Sequence, residues 1–212
     1  MLSLSLFCSS QTISLAVFND KKLINLSKKK ILDNKIEGIF KILKECLKKF
    51  DIDDFSNIFF STGPGSFTAL RSIKAISQAL ALTSNSQLFS ASSFSPLLAT
   101  NVIKEKKVLA CFKSTKNKFF YQVFEKKGRF FKPKYNLNLG EESQLISYYF
   151  EKKKDCNNLL LLSSDKLTNL NKNEIKSIIK KVDASHLAKS IFLGYGSKKI
   201  EIFYHNTYYE KY

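Results

Sequence analysis

Tryptophan is absent, histidine occurs twice, and of 35 basic residues only Arg71 and Arg129 are arginines. Each scarcity excludes something. His186 and His205 are far apart and form no HExxH or HxxxH pair, and no cysteine pair stands ready to complete a ligand set, so no metal site is expected. The four cysteines, Cys8, Cys46, Cys111 and Cys156, are scattered without a CxxC. A chain of 212 residues can bury a core without disulfide staples, and the expected compartment is the reducing cytoplasm. With 44% hydrophobic and 25% charged residues, close to ordinary globular usage, a disordered or collagenous chain is not expected. The longest leucine run, inside Asn158–Ser163, is far short of the roughly 18 apolar residues of a membrane span, so no membrane association is expected. The opening MLSLSLFCSS has no basic residue and alternates leucine with serine, which reads as a strand and not as a secretory leader.

What is present is lysine. The formal charge is +17, with 18 acidic residues against the 35 basic ones. Lysine supplies point-charge phosphate contacts, whereas bidentate readout of bases and phosphates is arginine's chemistry. The excess positive charge is expected to favour polyanions with steep salt dependence, and a surface selected for RNA is one reading of it. The Lys, Asn, Ile and Phe bias also fits an AT-rich coding sequence. Runs such as Lys28–Lys30 and Lys152–Lys154 read first as solvated surface.

The pattern of apolar residues predicts an α/β chain. Leu2, Leu4 and Leu6 alternate with serines, and Thr12–Phe18 and Lys22–Ser27 follow as two more strands. From Asn34 to Phe50, Ile36, Ile39, Phe40, Leu43, Leu47 and Phe50 recur at helical spacing. Strand Asn57–Ser61, a Gly-Pro-Gly turn and helix Ser66–Leu82 come next, then strand Leu88–Ala91 and a helix from about Ser92–Ser95 to Lys104. The polar stretch Lys104–Lys107 suggests a boundary between lobes at 1–104 and 105–212. The second lobe is expected to hold strands Lys107–Lys113, Phe119–Glu125 and Arg129–Tyr135, with Lys127–Gly128 as a hairpin turn. Helix Glu141–Lys153, strand Asn158–Leu162 and short helices near Glu174–Lys181 and Ala184–Phe192 complete it. Both lobes open with strands and then add helices, as two related halves would.

The sharpest local signal is STGPGSFTALRS, Ser61 to Ser72, at a strand-to-helix junction. Glycines there could turn backbone N–H groups toward an anion. They could equally form a tight turn, with Ser66 or Thr68 capping the helix. The missing GxxxxGK[ST] lysine and GxGxxG spacing favour the turn. Ser66 is no GxSxG nucleophile, because Pro64 and Thr68 stand where glycines would be needed. Asp51, Asp53 and Asp54 fit a solvated loop better than a catalytic carboxylate pair.

The helix after this loop carries two stripes. Ala69, Leu70, Ile73, Ile76 and Leu80 make a broad apolar face, and Thr68, Ser72, Ala75, Ala79 and Leu82 line a separate, mostly small-residue side. Such a helix can pack on its own sheet and also admit a second helix at close range. The second helix could be the chain's own first helix, whose outer side is expected to show Gly38 and Ile42, or a partner's; wholly internal packing is the plain alternative.

GPGSFTALR after an IFFST strand, followed by the small-residue helix and ALALTSNSQLFSASSF, resembles the TsaB (YeaZ) family, whose pattern is GPGSFTGxRxGxxxAxGLA. Gly63, Pro64, Gly65, Ser66, Phe67, Thr68, Arg71 and Ala79 match position by position. The opening SLFCSSQTISLAVFND is similar to the family's first hairpin, and FYHNTYYEKY stands where the family has a Pro-x-Tyr-Leu-Arg-like tail. The resemblance is specific over residues 1–100 and weak beyond. It implies an actin-like (ASKHA, RNase H-like) two-lobe fold, each lobe a mixed sheet with flanking helices. It also implies a part in making N6-threonylcarbamoyladenosine in the anticodon loop of tRNAs that read A-starting codons. The implied role is that of the non-catalytic, cofactor-free subunit that holds and activates the transferase TsaD, with a TsaE-like ATPase joining and tRNA bound indirectly or weakly. The implied contact is a bundle of the first two helices, here Gly38, Ile42, Ser72, Ala75 and Ala79, through which the chain could also form a homodimer.

Three departures stand out. Phe7 occupies the acidic position of an IDTS-like opening, Ala69 replaces the third glycine of the loop, and KSTKNKFFY, Lys113–Tyr121, replaces a DARxxEVY-like segment. An enzyme of the same fold, a small-molecule kinase or a glycoprotease-like peptidase, is the competing class. Nucleotide chemistry would need a metal-holding carboxylate after the first strand. A basic RNA-binding module is the third class, and no aromatic-arginine signature like an RRM's supports it.

Overall fold

The computed structural model describes residues 1–9, 12–30, 35–99, 103–114, 117–156, 158–168, 170 and 174–202. The contacts divide the chain into two units. One is Met1–Pro96 together with the segment that starts at Val182, and the other is centred on Leu97–Lys181. The segment from Val182 lies inside the stretch 105–212 yet belongs to the first unit, so the lobes differ from the division expected at residue 104.

The first unit is built on β1 (Leu2–Cys8), β2 (Thr12–Asn19), β3 (Lys22–Lys30), β4 (Phe55–Ser61) and β5 (Gln87–Ala91), in the order β3-β2-β1-β4-β5. β1, β2 and β3 form an antiparallel meander, while β4 pairs parallel with β1 and β5 parallel with β4. Strand alternation sends Leu4, Leu6 and Cys8 to one face, where helices α1 (Lys35–Leu47) and α2 (Phe67–Thr83) cover them with Ile39, Ile42, Cys46, Ala69 and Ile73. It sends Phe7, with Ala16, Phe18 and Phe59, to the other face, against Ala184, Leu187 and Ala188 of α5 (Ala184–Ser190).

The second unit repeats this topology. β6 (Lys107–Lys113), β7 (Lys118–Lys127) and β8 (Phe130–Pro133) form an antiparallel meander, and β10 (Leu160–Ser163) and β11 (Ser177–Ile179) add parallel strands on the other side of β6. The order β8-β7-β6-β10-β11 is that of the first sheet, with β9 (Asn138–Glu141) as an addition beside β7. Helix α4 (Glu142–Asp155) buries Leu145 and Tyr149 on Leu109, Phe119, Tyr121 and Leu161. Glu141 and Gln144 form its reciprocal capping box.

Three sequence expectations are corrected. The helix after β5 is a single turn, α3 (Ser95–Leu98), which Pro96 can start but which does not propagate to Lys104; residues 100–102 lie outside the described set. The segment Glu174–Lys181 contains a strand, because Ser177–Ile179 pairs with Leu161–Ser163 and its isoleucines suit an edge of the sheet. The hairpin turn falls on Gly128 and Arg129, one residue later than expected, with Gly128 at φ +62°.

Candidate functional site

The loop from β4 to α2 is anchored to the start of the segment that follows β5. Thr62 N–H donates to the Ala91 carbonyl (2.9 Å), and the Gly63 carbonyl accepts from Ser93 N–H (2.8 Å) and the Ser92 hydroxyl (3.3 Å). Gly63 sits at φ +104°, where a side chain is strained. Gly65 is different: a Cβ there would only touch Leu70 at 3.5 Å. Gly63→Ala is therefore expected to destabilise the first unit by about 1–2 kcal/mol, and Gly65→Ala to change stability little. Urea denaturation of the two variants side by side checks the difference; equal losses would contradict it.

Ser66 occupies the N-cap position, but its hydroxyl makes no capping bond; its carbonyl accepts from Leu70 N–H at 2.9 Å. Arg71 lies with its guanidinium 3.8 Å from the centre of the Phe67 ring, one helical turn earlier. Gly63, Pro64, Gly65, Ser66, Phe67, Thr68 and Arg71 are thus gathered into one strand-to-helix connector, and Gly63, Thr62 and Arg71 have partners that explain them as parts of that connector.

α2 has two sides. Ala69, Leu70, Ile73, Ser77 and Leu80 are buried. At about 100° per residue, Thr68, Ala75, Ala79 and Leu82 fall on the opposite side, and all four are exposed, Leu82 at 84%. Ser72, half-buried, donates to the Thr68 carbonyl at 2.9 Å. The small-residue stripe is therefore solvent-facing in this chain.

α1 corrects the expectation. Ile42 is 2% exposed and belongs to the core, and a Cβ on Gly38 would meet Ile13 Cδ1 at 2.9 Å, so this glycine permits close packing on the sheet. Neither faces outward. The helix is rotated by about 60° from the setting its apolar spacing suggested, because Cys46 and Ile42 join Ile39 and Leu43 inside. Ile36 and Phe40 are left on one shoulder, 40% and 55% exposed. Phe40 lines a groove of about 370 Å³ with Leu43, Lys44, Leu47 and Lys48. The signal for these two residues was an apolar arc on α1 wider than one sheet can cover.

Phe7, at the position where a metal-holding carboxylate would stand, is 4% exposed and packs among Ala16, Phe18 and Phe59. Among the described residues, no three His, Cys, Asp or Glu side chains come together as ligands would. All four cysteines are buried and outside any disulfide, and burial pushes Cys46 up to about 11 and Cys111 up to about 12, so these two are poor nucleophiles. His186 is bonded through Nδ1 to Asp183 (2.9 Å), a contact that ties down the start of α5. Lys113, which opens the divergent KSTKNKFFY segment, donates its N–H to Asp165 (2.9 Å); residues 115 and 116 lie outside the described set. Among the described residues, no helix is long and apolar enough to cross a membrane.

The profile of the family described as TsaD: tRNA N6-adenosine threonylcarbamoyltransferase matches residues 31–199, well over half of the chain. Among solved structures, YeaZ from Pseudomonas aeruginosa is similar at 13% identity and TM-score 0.68, covering 96% of this chain and 99% of that one. A second Pseudomonas aeruginosa structure, of an uncharacterized protein with similarity to peptidase YEAZ, superposes with the same TM-score at 12% identity and the same coverage. A Bacteroides thetaiotaomicron protein with an actin-like ATPase fold matches at TM-score 0.51 and 14% identity, over 90% of this chain and 95% of that one. No curated protein matches the sequence significantly. At these identities the structural likeness shows the fold, which is the actin-like α/β fold expected from the sequence.

Proposed function

Because the chain belongs to the TsaD tRNA N6-adenosine threonylcarbamoyltransferase family and has the fold of YeaZ, we propose that it is the non-catalytic subunit that binds and activates a TsaD-like transferase. The observation that carries the reading is the exposed stripe of Thr68, Ala75, Ala79 and Leu82 on α2, directly opposite the helix's core face. Small side chains there allow close helix approach, and Leu82, Ile36 and Phe40 offer apolar surface that water covers in the isolated chain. On α1 the docking surface is accordingly Phe40 and Ile36 instead of Gly38 and Ile42. A TsaE-like ATPase would join the assembly, tRNA would be held mainly by the partner, and the setting would be the cytoplasm. Co-purification of the tagged chain with the TsaD-like protein of its own organism tests this; recovery of the chain alone from cells that contain the transferase would refute it. A homodimer through the same two helices is the competing use of the surface, and the mass of the recovered complex distinguishes the two.

The second reading, an enzyme of the same fold, draws on the similarity of one matching Pseudomonas aeruginosa protein to a peptidase. Against it stands Phe7, which closes with a buried ring the place where a carboxylate would hold a metal. The purified chain is expected to turn over neither ATP nor a peptide substrate. Magnesium-dependent ATP hydrolysis that disappears in a Gly65 or Ser66 variant would establish the enzyme instead.

A further inference from the structure

The first unit holds a cavity of about 370 Å³ on the α5 face of its sheet, where β1 and β4 begin, at the opposite end of the strands from the glycine loop. Its wall is aromatic. Phe59 and Phe192 meet edge to face with centroids 5.4 Å apart, and Phe59 and Phe89 do so at 6.0 Å. Ser3 and Asn57 form its polar end, bonded to one another from Asn57 Nδ2 to Ser3 Oγ at 3.2 Å. Asp20 and Lys21, the turn between β2 and β3, stand at the mouth.

One side is a strap, the turn Ile191–Tyr195 and Gly196 after α5. It is fixed by two hydrogen bonds between Ser90 and Ser197, each 2.8 Å, and by the Ser90 hydroxyl donating to the Lys199 carbonyl. Its shape requires glycine twice. Gly194 has φ +98°, and a Cβ on Gly196 would lie 2.8 Å from Ile191 Cγ2.

Charge at the opening is unbalanced. The Asp20 carboxylate is paired with the Met1 ammonium at 3.2 Å, while Lys21 lines the mouth and Lys198 holds its ammonium 5.8 Å from the centre of the Phe89 ring. A preformed pocket of this size with few convergent polar groups is the usual form of a small-molecule site. Phenylalanine rings favour a planar aromatic partner, the Asn57 amide can bond a heteroatom at its edge, and the lysines favour an anion. We propose that this cavity binds a small planar aromatic molecule carrying an anionic group, the chemistry of an aromatic acid or a mononucleotide. The site uses the opposite face of the sheet from α1 and α2, so it stands independently of partner docking.

The test is calorimetric titration of the full chain with indole-3-acetate and AMP, which have ring and anion, against indole, acetate and ribose 5-phosphate, which each lack one. The first two are expected to bind at least about tenfold more tightly than acetate and ribose 5-phosphate. Lys21→Glu, on an exposed turn, should weaken both anions by about tenfold and leave indole within about twofold. Phe89→Leu keeps apolar bulk and should weaken every ring-bearing probe. At 0.3 M salt, displacement of AMP by a five-residue oligoadenylate would assign the site to a strand-borne base, and failure to displace it to a free small molecule. Ring-free anions that bind as well as AMP, binding indifferent to both substitutions, or no binding of either ring-bearing anion at about 10 mM would overturn the proposal.

Discussion

Ala75→Glu and Ala79→Arg variants of the isolated chain should melt within about 1–2 °C of the parent, since substitutions on exposed helix surface usually change stability by no more than about 0.5 kcal/mol. The same variants should fail to co-purify with the TsaD-like transferase. In a close helix–helix seam each would insert extra volume and an unpaired charge, costing about 3–5 kcal/mol, which is a loss of two to three orders of magnitude or more in affinity. Phe40→Glu should behave likewise, because that ring is more than half exposed. Ile42→Glu is the opposite case: it places a carboxylate among Leu6, Ile39 and Cys46 and should unfold the first unit, with partner loss following from the lost fold. Circular dichroism melts beside pull-down yields and the threonylcarbamoyladenosine content of cellular tRNA separate these outcomes. Normal transferase binding by Ala75→Glu and Phe40→Glu would move the interface away from these helices.

That contrast between Phe40 and Ile42 also shows what could be read in advance. α2 was legible because its buried and exposed stripes lie on opposite sides of the helix, with only half-buried residues such as Ser72 and Ile76 between them. α1 was not, because Ile36, Phe40 and Leu47 continue the apolar arc of Ile39 and Leu43, and periodicity does not reveal which part of a wide arc meets the sheet. The first meander was legible from the Leu-Ser alternation of β1, which serves two covered faces: the leucines face α1 and α2, and Ser5 donates to the Ala184 carbonyl under α5. β11 was missed because Ile175, Ile178 and Ile179 satisfy a helical spacing as readily as a strand, and only pairing with β10 decides the matter. The return of the segment from Val182 to the first unit, and the aromatic cavity that its strap helps to enclose, depend on contacts between residues more than a hundred positions apart. No local pattern encodes such contacts.

Asp183→Ala should be the most damaging single change at a charged residue, at about 3 kcal/mol, because one buried carboxylate satisfies several groups at once. Its Oδ1 accepts from Ser185 N–H (2.9 Å), the Ser185 hydroxyl (2.6 Å), His186 N–H (3.3 Å) and His186 Nδ1 (2.9 Å), and its Oδ2 meets Lys28 Nζ at 2.5 Å. Next to it, Ala184 N–H donates to Ser14 Oγ, so the same corner fastens α5 to β2. Burial by itself pushes the Asp183 carboxyl upward, but the bonds from His186, Lys28 and Ser185 and the charge of His186 outweigh it and hold the group well below the usual carboxylate range. A lowered native value means that the stabilisation is fully present above the unfolded carboxylate value of about 4 and is lost progressively as pH falls from there toward the native one. The parent should therefore lose stability below about pH 4 more steeply than Asp183→Asn, which keeps a capping oxygen but no titratable charge. Asp183→Asn should fall between parent and Asp183→Ala at neutral pH. Urea midpoints from pH 2.5 to 7 read both effects at once. Parallel pH curves for parent and Asp183→Asn would show that the carboxylate contributes nothing as a charge, leaving capping geometry alone to hold α5 on the sheet.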